Sequence, residues 1–145
     1  MSTADSARPD PAERELKKLD PWSFHVLPGD GVGCDKIVMG TTGAFALVFA
    51  GDDVPSGSRV AGVRRAKRAA RKLKGHVGAI GAQGATIAIV CPSTHSVFAP
   101  RTIRGVRVVP PMLLANEISE RNRSAMPHQV WRAAEALTRS FSRFR

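Results

Sequence analysis

The chain has 145 residues, 43% of them hydrophobic, which suits a single domain with a packed core and argues against a disordered polypeptide. With 22 Lys and Arg against 12 Asp and Glu the formal net charge is +10, which points to a polyanionic partner; a basic surface kept for solubility is the plainer alternative. No segment approaches the ~18 apolar residues of a membrane span and no apolar run opens the chain as a signal peptide, so the reading is cytoplasmic with no membrane partner.

In chain order, residues 1–9 read as a mobile tail and 10–145 as one domain. Asp10-Pro11-Ala12-Glu13 has the signature of a helix start, with an N-cap Asp, a first-turn Pro and a Glu three residues after the cap. That helix is expected to run to about Leu19 and to stop at Asp20-Pro21, because the residue before Pro avoids helical geometry. Trp22–Leu27 alternates as a strand, with Trp22, Phe24 and Val26 on one face. The loop Pro28–Gly33 is rich in glycine but leads into another strand. A phosphate-binding loop must open a helix, so nucleotide binding is not expected there.

Cys34–Gly51 is the most informative stretch. Two apolar runs flank Gly40-Thr41-Thr42-Gly43, the pattern of a β-hairpin with a two-residue turn. Symmetric pairing about Thr41 and Thr42 puts Asp35 opposite Val48, with Ala50 and, if the strand continues, Asp52 on the same face. A carboxylate in so apolar a hairpin calls for a partner. Cys34 and Cys91 each lie in an apolar run without zinc-site spacing, and read as buried thiols in a reducing compartment.

Gly51–Ser58 is a linker without periodicity, and Ser58 is a candidate cap for a helix from about Arg59 to His76. Val60, Val63, Ala66, Ala70, Leu73 and Val77 form its apolar stripe; Arg64, Arg65, Lys67, Arg68, Arg71, Lys72 and Lys74 cover the opposite face with no acidic residue among them. Solvated helices usually mix signs to form i,i+4 pairs, so a face of one sign is a cost that a phosphate backbone would offset. A basic face with no partner is the other reading. Gly78–Gly84 reads as a flexible connection, Ala85–Cys91 as a strand buried on both sides, and Pro92–His95 as a turn; Ser96–Ala99 is either a short strand or a loop. Gly105–Val109 is expected to be a strand, Met112–Ser119 a short helix, and 127–145 a C-terminal helix with Val130, Ala134, Leu137 and Phe141 inward and Arg132, Arg139, Arg143 and Arg145 adding charge. Together these give an α/β protein: a mixed β-sheet flanked by helices, in three layers.

The histidines, His25, His76, His95 and His128, lack ligand spacing, and Ser93-Thr94-His95 has no nearby acid to orient a triad. Trp22 and Trp131 read as core or helix-packing residues. With no Tyr and no surface aromatic cluster in view, recognition of single strands by stacking is not expected.

The succession of a short helix, "W…LPG…DKIVMGTTGAFALVF", a linker, a basic amphipathic helix, an apolar strand and "VRVV…LL…I" resembles the nuclease-related domain (NERD) family, itself similar to PD-(D/E)xK restriction-endonuclease-like nucleases. The resemblance covers roughly Ala12–Ser119 and is most specific over Asp35–Phe45, "D-x-(apolar)3-G-x-x-G-x-F". It implies a restriction-endonuclease-like fold and a metal site built from an Asp at the hairpin start and an E-x-K on the second strand. Asp35 matches the Asp, but Val48-Phe49-Ala50 stands where E-x-K belongs. Such a site needs carboxylates for Mg²⁺ and a Lys for the developing charge, and Val and Ala supply neither.

The expectation is therefore a NERD-like pseudonuclease that needs no cofactor and binds DNA or RNA phosphates through the basic helix, with Asp35 either a vestigial metal ligand or a structural residue. Two alternatives stay open. One is an active Mg²⁺-dependent nuclease using Asp35 with relocated Asp52 or Asp53, Arg64 or Lys67 replacing the missing Lys. The other is a scaffold whose basic face binds an acidic protein.

Overall fold

A computed structural model of the chain describes residues 11–50, 56–81, 84–92 and 99–142, with side chains for all of these except 50 and 56–61. The tail, the Asp10 cap, Asp52 and Asp53, residues 93–98 with the Ser93-Thr94-His95 turn, and Arg143 and Arg145 lie outside what is described. Ser58 is not a cap, because the helix expected from about Arg59 already begins at Ser56.

The elements are α1 (Pro11–Leu16), β1 (Phe24–Pro28), β2 (Lys36–Gly40), β3 (Gly43–Ala50), α2 (Ser56–Ala79), β4 (Thr86–Pro92), β5 (Arg101–Ile103), β6 (Val106–Val108), a 3₁₀ turn (Pro111–Leu113), α3 (Leu114–Ser119) and α4 (Pro127–Ser142). The strands make one mixed sheet in the order β1-β2-β3-β4-β6-β5. β1, β2 and β3 pair antiparallel, and β3 pairs parallel with β4 through the crossover helix α2. β4 pairs parallel with β6, and β5 closes the far edge antiparallel to β6.

The hairpin register is the one expected: Lys36 pairs with Leu47, Val38 with Phe45 and Gly40 with Gly43. Its alternation builds two cores. Ile37, Met39, Ala44, Ala46 and Val48 face α2 and α4, meeting Val63, Ala66, Leu73, Val130 and Leu137. Val38, Phe45 and Leu47 face the other way, against Ala12 and Leu16 of α1 and Leu114 and Ile118 of α3. Both sheet faces are thus covered, as the long apolar run of β4 requires.

Several boundaries differ from expectation. α1 ends at Leu16, with Leu19 still buried in the turn after it. α2 extends through Gly75 and Gly78 to Ala79; each glycine costs a helix interior about 1 kcal/mol, and the burial of Leu73 and Val77 offsets it. β5 is an unforeseen strand of three residues, too short for alternation to reveal. It joins β6 through Arg104 and Gly105, which both have positive φ, the geometry of a type I′ turn. Trp22 is not in a strand at all. Asp20 Oδ1 accepts the Trp22 N–H at 3.2 Å and Ser23 Oγ donates to Oδ2 at 2.9 Å, which makes a side-chain-capped turn and turns the indole outward.

The Thr41-Thr42 turn is buried rather than exposed. Neither threonine has positive φ; the unusual geometry falls on Gly43, at φ +142, where a Cβ would lie 2.8 Å from the Ala85 carbonyl oxygen. Thr42 Oγ1 donates to the Ile118 carbonyl at 2.6 Å. The Thr41 carbonyl accepts the Ser124 N–H at 2.6 Å and the Ala125 N–H at 3.2 Å.

Next to the far edge, Glu117 of α3 binds Arg107 of β6 through both oxygens, at 3.1 and 2.9 Å, and accepts from Arg121 at 3.0 Å. Burial pushes this carboxyl up. Hydrogen bonds and charge from Arg107 and Arg121 outweigh it, and the net shift is downward. The stabilisation is complete above the ordinary carboxyl value of about 4.3 and disappears as pH falls through the lower folded value. Glu117→Gln is expected to cost about 1–3 kcal/mol at pH 7 and to flatten the loss of stability between neutral and acid pH, as urea unfolding at a series of pH values would show.

Candidate nucleic-acid interface

Helix α2 is held on the sheet by Val63, Ala66, Ala69, Leu73 and Val77, all at most 5% exposed. Small residues on both sides of this contact, Ala44 and Ala46 on β3 and Ala66 and Ala69 on α2, belong to the same core and let the helix lie close to the strands. Ala70, placed in the stripe by sequence, is half-buried at its margin, and Ala69 takes its place. The remaining face carries Arg64, Arg65, Lys67, Arg68, Arg71, Lys72 and Lys74, and all seven are exposed. From Arg64 to Lys74 this face runs ~15 Å along the helix axis.

Asp35 and Arg65 meet at the foot of this face. The regular pairing of β2 and β3 stops at Lys36 and Leu47, and Asp35 does not pair with Val48 as the symmetric register predicts; its N–H donates to the Leu47 carbonyl at 2.9 Å, one residue out of register. Its carboxylate then caps the next amide of β3: Oδ2 accepts the Phe49 N–H at 2.7 Å. Oδ1 faces Arg65 Nη2 at 3.4 Å, and Arg65 Nε donates to the Gly33 carbonyl at 2.9 Å. The partner that the sequence called for is therefore a backbone amide with an arginine beside it. Asp35 and Arg65 tie the hairpin mouth, the Gly33 turn and α2 together. Both side chains stay a third to a half exposed, so the ionic part contributes at most about 1 kcal/mol.

The turn before Asp35 closes on one atom. The Gly29 carbonyl accepts the N–H groups of Val32, Gly33 and Cys34 at 3.0–3.1 Å. A Cβ on Gly29 would sit 2.4 Å from the Cys34 carbonyl oxygen, which forces glycine there. Cys34 is buried behind this turn, and desolvation pushes its thiol up to about 11, with a lesser rise from the Asp35 charge and an opposing hydrogen bond from the Leu47 backbone. Native protein at pH 8 is therefore expected to leave Cys34 and the buried Cys91 unmodified by a thiol reagent over minutes, both reacting once urea is added.

Comparison of the chain with protein-family models, with curated proteins and with solved structures finds no match.

Among the described residues, which leave out Asp52 and Asp53, no second carboxylate stands beside Asp35 to share a divalent cation. One carboxylate oxygen is taken by an amide, the other faces a guanidinium, and Val48 is core at 2% exposure. Ala50 pairs with Pro92 at the end of β3. Among the described residues no three of His, Cys, Asp and Glu are grouped so as to hold a metal ion. Among the described residues the cation that pairs with Asp35 is Arg65, not Arg64 or Lys67.

Two residues set aside in the sequence stand out in the structure. Trp22 is 80% exposed and Trp131 53%, which corrects the expectation that both pack inside. They line one groove together with Pro21, His25, Pro127 and His128. The signal was present in both cases. Asp20-Pro21 before Trp22 is a turn sequence, and Trp131 stands one residue off the Val130–Ala134–Leu137 stripe.

Proposed function

We propose that this domain binds nucleic acid through the phosphate backbone and does not cut it at Asp35. One observation carries the reading: seven exposed Arg and Lys side chains on one face of one rigid helix, with no carboxylate anywhere on that helix. Held on a sheet, these charges cannot spread apart, so their mutual repulsion persists until an anion joins them. Duplex DNA carries one charge per ~1.7 Å of its axis, so the ~15 Å from Arg64 to Lys74 is long enough to meet several phosphates at once. Contacts of this kind position a protein without reading bases, so sequence preference is expected to be slight.

The NERD-like, restriction-endonuclease-like assignment belongs to the same proposal. What supports it is the mixed three-layer sheet, the order of α1, β1, β2, β3, α2 and β4, and Asp35 at the mouth of the β2–β3 hairpin. Where the resemblance asks for a metal-binding carboxylate, this chain has used its Asp to cap β3 and anchor Arg65. The reading is therefore of a nuclease frame kept for binding.

The test is binding to labelled duplex DNA and RNA at two salt concentrations, with plasmid nicking in Mg²⁺ and Mn²⁺ alongside. Affinity should fall steeply with salt, and wild type and Asp35→Asn should show the same background cleavage. Metal-dependent nicking lost in Asp35→Asn would overturn the non-catalytic part. Tight, salt-insensitive binding to an acidic protein with none to nucleic acid would replace the partner.

A further inference from the structure

We infer that the groove holding Trp22 and Trp131 stacks the bases of single-stranded nucleic acid. The inference rests on the proposed binding of nucleic acid and adds the strand form and the site. The groove has a volume of about 790 Å³ and lies at the free edge of the sheet, between the turn before β1 and the start of α4. Its walls are two indoles, two imidazoles and two prolines, with no carboxylate. Flat, rigid and apolar, they offer faces to which any base can stack without being read.

Three observations favour a base over another apolar occupant. The indoles are exposed at 80% and 53% although the chain has ample core, so the domain leaves its only tryptophans in water, lining one groove. The groove continues past His25 and Trp131 along α4 toward Thr138 and Arg139, and Arg132 follows Trp131 directly, so cations lie within reach of a backbone whose bases sit on the indoles; Glu135 stands on the same helix between them. Finally, His25 Nε2, on the groove wall, is buried with no hydrogen-bond partner. A buried polar atom without a partner is costly, and a base edge could serve it only if the His25 ring turned toward the groove. The net charge of +10 supplies the long-range attraction that a neutral peptide would not feel.

The chain has two Trp and no Tyr, so its indole fluorescence reports on this groove alone. The experiment titrates the full-length protein with a 12-residue oligo(dT), oligo(rU), a 20-base-pair duplex, inorganic polyphosphate and a proline-rich peptide. Both oligonucleotides are expected to quench the fluorescence by about half or more, while duplex and polyphosphate bind, by anisotropy of a labelled duplex and its displacement by polyphosphate, without quenching. Trp22→Ala and Trp131→Ala, at exposed positions that do not support the core, should each weaken the oligonucleotide at least fivefold and leave the duplex within twofold.

Oligonucleotides that bind without quenching, or fail to bind, or keep their affinity in both Trp variants, would overturn the inference. So would a proline-rich peptide that perturbs the indoles where the oligonucleotides do not. Failure of the wider reading looks different: Lys67→Ala/Arg68→Ala/Arg71→Ala would then leave duplex and polyphosphate binding unchanged, whatever the indoles report.

Discussion

Lys67→Ala/Arg68→Ala/Arg71→Ala is expected to weaken duplex binding by at least about tenfold at 0.1 M salt, and to make the slope of log affinity against log salt shallower by about 2–3. Each phosphate neutralised releases close to one condensed counterion, so the slope counts the contacts that have been lost. These three side chains are exposed and make no described ion pair or hydrogen bond that would explain their presence structurally. Alanine also has a higher helix propensity than either residue, so the variant should fold at least as well as the parent. Arg65 is left out of the set because it also holds the Gly33 carbonyl and faces Asp35. Arg65→Ala should therefore lower stability as well as affinity, which separates it from its neighbours. Fluorescence anisotropy at four salt concentrations would measure the slope. An unchanged slope would mean that the basic face of α2 is not where phosphates bind.

Leu73→Ala should cost about 2–5 kcal/mol of unfolding free energy, measured by urea denaturation. Leu73 is wholly buried in the core beneath α2, beside Val63, Ala66 and Val77. Its neighbours on the sheet, Ala44, Ala46 and Ala88, are already small and cannot swing in to fill a void, which argues for the upper part of that range. Leu73 lies on the opposite side of the helix from the cations. Below the new unfolding midpoint the variant should thus keep the salt slope of the parent while losing stability, a dissociation of the two properties that a helix merely resting on the surface would not show.

Much of the frame could be read before any coordinates, for reasons that differ by element. The β2–β3 register follows from a turn of two threonines between glycines, since with alternating burial on each side only one pairing keeps both faces apolar. The parallel entry of β4 follows from the long helical crossover before it. The basic face of α2 is a matter of period alone. What escaped the sequence has causes both local and distant. β5 exists because β6 offers it an edge. Asp35 was suspect as a charge in apolar company, but its engagement by Arg65 and the Phe49 amide could not be counted from spacing within the hairpin. The tryptophans were misread because an apolar residue beside a strand or on a helix is ordinarily core. Here an aspartate-capped turn and a one-residue offset on α4 put both in solvent.

The clamp on the hairpin turn bears on how the chain comes together as it is made. The Thr41 N–H is held by the Ser23 carbonyl, but the groups that satisfy the Thr41 carbonyl and the Thr42 hydroxyl belong to Ile118, Ser124 and Ala125, more than 70 residues further on. A nascent polypeptide holding only α1 to β4 has its central turn exposed, with polar atoms looking for water and glycines free to slip. The native state is sealed only when the stretch between α3 and α4 leaves the ribosome, so a fragment cut short of Ser124 should gather apolar surface without locking, and the last third of the molecule acts as the bolt of the first.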